Sequence, residues 1–150
     1  MKRNASAVWQ GTIREGKGAL TTPSGVLKST PYSFKSRFGD GAETNPEELI
    51  GAAHAGCFSM ALAHALGEAG FPAEKLETRA TVSLDPDGAG WKIATVHLDL
   101  VARVPRIERG KFEAVATEAK ENCPVSKVLN ATITLKWTLE ETEKVRAAGA

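Results

Sequence analysis

The chain holds two cysteines, Cys57 and Cys123, and each occupies a place where sulfur chemistry is possible. Cys57 lies in an alanine- and glycine-rich run, with His54 three residues before it and His64 seven after. At helical spacing all three share one stripe. Cys123 directly precedes Pro124, which puts it at the cap of a short helix opening at that proline. Free backbone N–H groups and the positive end of a helix dipole favour a thiolate there. Cysteine is not a preferred cap, which leans the reading of Cys123 toward chemistry. The opposing reading is that free cysteine is a small core hydrophobe, and for Cys57 in an apolar helix that alternative stays open. A zinc site is disfavoured by spacing: Cys57 and His64 are about 10 Å apart along a helix axis, too far for one ion. No CxxC or HxxxH pair is present.

Composition narrows the setting for these thiols. The 150 residues suit one domain with a real core, and 42% hydrophobic with 25% charged residues is ordinary for a globular protein. Net charge is +1, and the nearest approach to a basic cluster (Lys17, Lys28, Lys35, Arg37) has only Tyr32, Phe34 and Phe38 interleaved. That argues against a nucleic-acid surface. The first eleven residues show no apolar signal core, and Ile50–Leu66 reads as too short and too polar for a membrane span. The expectation is a cytoplasmic protein without a membrane partner, where two cysteines do not form a permanent bridge.

The elements that must position the thiols follow from pattern. Strands are expected near Ala5–Gly11, Ala19–Thr22 and Tyr32–Phe38, with Gly39–Thr44 as a loop. Asn45, Pro46 and Glu48 then read as N-cap, first helical residue and the third member of a capping box. The helix they open runs to about Glu68, ahead of Gly70 and Pro72, and its small apolar residues on every side predict burial all round. Alternation over Glu77–Leu84 and Trp91–Val104, split by Asp85-Pro86-Asp87-Gly88, predicts a hairpin. A helix over Glu108–Asn122, a short one over Pro124–Leu129 and a strand over Ala131–Leu139 complete the domain, and a charged tail from Glu140 is expected to fray. The class is α+β with antiparallel sheet, one domain with a core over about residues 7–139.

Three segments together resemble the OsmC/Ohr family of thiol peroxidases. They are Asn45-Pro46-Glu47-Glu48-Leu49, Ala53-His54-Ala55-Gly56-Cys57-Phe58-Ser59-Met60-Ala61 and Asn122-Cys123-Pro124-Val125-Ser126, in matching order and spacing. The middle segment and the position of Arg37 look like the OsmC branch. The resemblance implies an intertwined, strand-exchanged homodimer with two active sites at the subunit interface and no cofactor or metal. It also implies that Cys57 is the peroxidatic cysteine and Cys123 the resolving one. Arg37 and Glu47 match the family's activating pair, with Glu47 holding the arginine fork through a bidentate contact. Arg37 beside Cys57 would lower the thiol pKa and stabilise the leaving alkoxide.

The implied reaction is reduction of an organic hydroperoxide to an alcohol through a Cys57 sulfenic acid and a Cys57–Cys123 disulfide, re-reduced by a dithiol of the lipoyl type. Phe38, Leu49, Ile50, Phe58 and Met60 are the apolar residues expected to favour alkyl hydroperoxides, although each also fits a plain core. Ten residues of straight helix separate Glu47 from Cys57 by about 15 Å and roughly 80° of rotation. Either the helix breaks near Gly51, or Arg37 and Glu47 act on Cys57 from the other subunit; the second arrangement is the one expected. A redox-responsive binding protein using the same disulfide is the alternative function.

Overall fold

The computed structural model describes residues 1–142. Two compact units divide the chain, Met1–Leu49 and the residues from Ile50 onward. In the first, β1 (Ser6–Gln10), β2 (Lys17–Thr21) and β3 (Thr30–Tyr32) form an antiparallel sheet in that order. Gly18 pairs across the sheet with both Trp9 and Tyr32, whose ring centroids are 5.5 Å apart, and a Cβ there would collide with both rings. Only glycine lets the two aromatics close over the strand.

Tyr32–Phe38 is not the expected extended piece, because helix α1 (Phe34–Phe38) occupies most of it. Ser33 and Ser36 make a reciprocal capping box: the Ser36 N–H donates to Ser33 Oγ at 3.3 Å and the Ser33 N–H to Ser36 Oγ at 2.9 Å. The aromatic alternation that reads as a strand also places Phe34 and Phe38 one helical turn apart, with centroids at 4.9 Å. The caps decide between the two periods.

Helix α2 (Pro46–Glu68) begins as expected, the Glu48 N–H donating to Asn45 Oδ1 at 2.8 Å. The capping box stays half made, since the Glu48 carboxylate accepts from the Thr44 hydroxyl at 2.9 Å. The Asn45 amide reaches back to the Ser36 carbonyl at 3.0 Å and ties α1 to the start of α2.

In the second unit, β4 (Lys75–Asp87) and β5 (Gly90–Arg103) form the expected hairpin, turned at Gly88 with φ +60° and bulged between Ser83 and Leu84. Helices α3 (Arg109–Asn122) and α4 (Pro124–Val128) carry the chain to β6 (Thr132–Leu139). The sheet order is β4-β5-β6, and β6 runs parallel to β5, from Thr95↔Thr132 to Ala102↔Leu139. The sheet is therefore mixed, not wholly antiparallel as expected: the α3–α4 crossover returns the chain to the end of the sheet from which β5 began.

The core lies between one face of this sheet and the helices. Val96, Leu98, Leu100 and Ala102 of β5 are buried with Phe58, Leu62 and Leu66 of α2 and Phe112, Val115, Ala116 and Ala119 of α3. Each of the larger side chains contributes on the order of 1.5–3 kcal/mol by leaving water. Phe112 and Trp137 meet edge to face at 5.0 Å.

Helix α2 is not buried all round in this chain. Gly51, His54, Phe58, Leu62 and Leu66 are buried, whereas Ala52, Ala53, Gly56, Ala63, His64 and Gly67 are exposed and Met60 is 76% exposed. By length and composition alone the helix is apolar enough to cross a membrane, contrary to the sequence expectation; its Phe58–Leu62–Leu66 stripe is spent in the core. Beyond β6, Glu140 is held by its N–H to the Ala102 carbonyl at 2.8 Å and by its carboxylate to Arg103 at 3.0 Å. The charged tail expected to fray begins there, and residues 143–150 lie outside the described residues.

Candidate active site

The two thiols meet. Cys57 is half-buried in α2, and Cys123 is fully buried at the junction of α3 and α4. Both are free, and their side chains are within hydrogen-bonding contact. Cys123 serves both helices, its N–H donating to the Ala119 carbonyl at 2.9 Å and its carbonyl accepting from Lys127 N–H at 3.1 Å. The Val125 backbone N–H, in the first turn of α4, donates to Cys57. The helix-end N–H expected to favour a thiolate at Cys123 thus serves the other sulfur.

The electrostatics at Cys57 are opposed. Burial pushes its thiol pKa up, the Val125 N–H pulls it down, and the adjacent Cys123 side chain adds to the rise. Left to these groups, the sulfur stays protonated more than an exposed cysteine would. A cation beside it would reverse that balance.

His54, one turn before Cys57, is fully buried with its Nε2 2.7 Å from Ser126 Oγ on α4. Its Nδ1 is buried without a partner among the described residues, and burial lowers its pKa from 6.5. His64 is exposed. Sequence reasoning named Val125 and Ser126 only as members of the Asn122–Ser126 segment and gave neither a role. Among the described residues no cluster of three or more His, Cys, Asp or Glu could hold a metal.

Arg37 and Glu47 form the second constellation, brought together by the short path from α1 into the first turn of α2. Arg37 Nε and Nη2 both donate to Glu47 Oε1, at 3.0 and 2.8 Å. The contact is thus a convergence on one oxygen, not the expected fork on two, and Oε2 is buried without a partner among the described residues. The side chains are 38% and 11% exposed. The guanidinium also lies 5.3 Å from the centre of the Phe38 ring. Helix α2 runs unbroken through Gly51, so Glu47 and Cys57 are separated by the full ten residues of helix, about 15 Å.

The apolar residues expected around substrate fall in different settings. Phe38 is 36% exposed on α1, Leu49 and Ile50 are half-buried on α2, Phe58 is in the core, and Met60 is exposed.

Comparison with known proteins gives a consistent picture. The model of the OsmC-like protein family matches residues 39–138. The chain is 49% identical over 138 residues to the peroxiredoxin OsmC of Escherichia coli, covering 92% of this chain and 96% of that protein. The crystal structure of the organic hydroperoxide resistance protein OhrB of Bacillus subtilis superposes with a TM-score of 0.67 at 27% identity, covering 90% of this chain and 98% of that one. An OsmC-like protein of Mycoplasma pneumoniae shares the fold, with a TM-score of 0.72 at 14% identity and coverage of 94% and 99%.

Proposed function

The chain belongs to the OsmC-like family, and from that premise we propose that it is a thiol-dependent peroxidase reducing organic hydroperoxides to alcohols. The observation that carries this reading is the meeting of Cys57 and Cys123, with the Val125 N–H on the Cys57 sulfur. The Cys57 thiolate attacks one oxygen of the O–O bond; an S–O bond forms, the O–O bond breaks, and the alkoxide leaves with a proton as alcohol. The Cys123 thiolate then attacks the sulfenic sulfur, an S–S bond forms, and hydroxide departs as water. An external dithiol of the lipoyl class restores both thiols.

The working unit is a homodimer. Exposed Ala52, Ala53, Gly56, Met60 and Ala63 give α2 an apolar face that a second copy would cover. With about 15 Å of helix between Glu47 and Cys57 in one chain, the Arg37–Glu47 pair of one subunit serves Cys57 of the other. That guanidinium supplies the positive charge that opposes the effect of burial on the thiol, and Glu47 fixes its direction. Phe38, Leu49, Ile50 and Met60 supply apolar contacts that favour alkyl groups on the substrate. The setting is the cytoplasm.

Steady-state reduction of tert-butyl and cumene hydroperoxide, with dihydrolipoamide compared against glutathione and thioredoxin, tests the proposal. Turnover is expected with the lipoyl dithiol; Cys57→Ser abolishes it, and Cys123→Ser allows one turnover followed by over-oxidation of Cys57. Normal turnover by Cys57→Ser would refute the nucleophile. Disulfide formation without turnover on any dithiol would favour the redox-responsive binding protein instead.

A further inference from the structure

We propose that His54 is a positioning residue for the resolving half of the cycle, acting through Ser126 to hold α4 against α2. This rests on the peroxidase reading and adds to it a residue that touches neither peroxide nor sulfur in the steps above. Helix α4 has five residues and buries none of them fully, with only Val125 at its start packed partly against the core. Yet it sets two groups that the chemistry uses, Cys123 at its cap and the Val125 N–H on Cys57. The side-chain tie from this short helix to α2 among the described residues is the 2.7 Å contact between Ser126 Oγ and His54 Nε2.

The imidazole is suited to that task. It is fully buried, so its end of the contact is fixed by the packing around α2. Burial also keeps it neutral by lowering its pKa. A neutral ring has one N–H, and leaving a buried N–H unpaired costs more than leaving a lone pair unpaired. The unpartnered Nδ1 is therefore the lone pair, and Nε2–H is the donor to Ser126 Oγ. His54 stands one turn from Cys57 on α2, and Ser126 stands three residues after Cys123 on the other side of the contact. The bond thus runs beside the sulfur pair and holds the spacing between them.

The test separates attack on peroxide from closure of the disulfide. Ser126→Ala removes the acceptor at a half-buried position, and His54→Leu removes the donor; His54→Gln restores an N–H near the Nε2 position. Ser126→Ala and His54→Leu are expected to slow disulfide closure about five- to tenfold, and attack of Cys57 on tert-butyl hydroperoxide, which feels α4 only through the Val125 N–H, by no more than about twofold. The share of Cys57 reaching sulfinic acid, read by mass spectrometry, rises accordingly, His54→Gln recovers most of the loss, and the double variant is no slower than the slower single one. Closure driven by diamide, which accepts the two electrons of the dithiol without any peroxide, should show the same order of rates. Variants that melt like the parent and close at its rate overturn the proposal, as does equal slowing of both steps. A parent protein inert to hydroperoxide yet closing with diamide would overturn the peroxidase reading, while the diamide rates would still decide the role of His54.

Discussion

Replacing Arg37 by methionine keeps an apolar stem of similar length and removes the charge assigned to activating Cys57 in the partner. A cation at a contact distance of about 4 Å in a medium of effective dielectric about 20 stabilises a thiolate by about 4 kcal/mol. Arg37 is 38% exposed, and solvent screening on that scale removes about half of the interaction, leaving about 2 kcal/mol. That corresponds to roughly thirtyfold in thiolate population at fixed pH. The sign follows from the other groups at the site. Burial already raises the thiol pKa of Cys57, so removing the cation leaves the rise unopposed except by the Val125 N–H. The rate of bimane alkylation at Cys57, measured against pH in a Cys123→Ser background, is expected to fall about thirtyfold at neutral pH and to converge with the parent in strong alkali, where the thiolate forms regardless. The peroxidase rate of the Cys123-containing protein should fall in parallel. In the proposed dimer the guanidinium comes from a second subunit, so dilution below the dimer dissociation constant should reproduce the effect in the parent. A superimposable alkylation profile for Arg37→Met would refute the reasoning.

Further outcomes follow from features elsewhere in the fold. Met60→Glu puts a charge on the exposed apolar face of α2 and is expected to yield a monomer by sedimentation, with peroxidase activity down by about tenfold or more. Phe58→Ala opens a cavity among fully buried neighbours and should cost about 3–5 kcal/mol in urea unfolding. The folded-state pKa of His54 lies below its ordinary value of 6.5, so the unfolded chain binds the extra proton first. Stability is therefore expected to be flat above about pH 6.5 and to decline as the pH falls below it. Thermal melts at pH 8 and pH 5 measure this, and Ala in place of His54 should flatten the slope.

Much of this was legible in residue order. The start of α2 could be read from Asn45 and Pro46 because a cap acts within four residues. The β4–β5 hairpin could be read because Asp85–Gly88 interrupts a clean alternation. The direction of β6 could not: Ile133, Leu135, Trp137 and Leu139 alternate identically whether a strand runs up or down the sheet, and the α3–α4 crossover settles it. Tyr32–Phe38 misled because aromatics spaced by two are also spaced by four. The one-sided burial of α2 was hidden for a different reason. Alanine and glycine on all sides are compatible with an interior and with a face that awaits a second copy. At the site, the pairing of Arg37 with Glu47 came from resemblance and has a local cause in the Asn45–Ser36 tie. The His54–Ser126 contact joins residues 72 apart in the chain, and no local pattern encodes it.

Cys123 occupies an elbow, its N–H belonging to one helix and its carbonyl to the next. Rotation about the Cys123 backbone turns one helix against the other while both helical ladders stay intact, and Pro124, its own φ fixed by the ring, has no N–H to lose. Closing a disulfide from thiols already in contact asks the sulfurs to approach by only about 1.5–2 Å. A travel that small, taken up at a corner, can be repeated cycle after cycle with the β-sheet and its apolar packing left as they were.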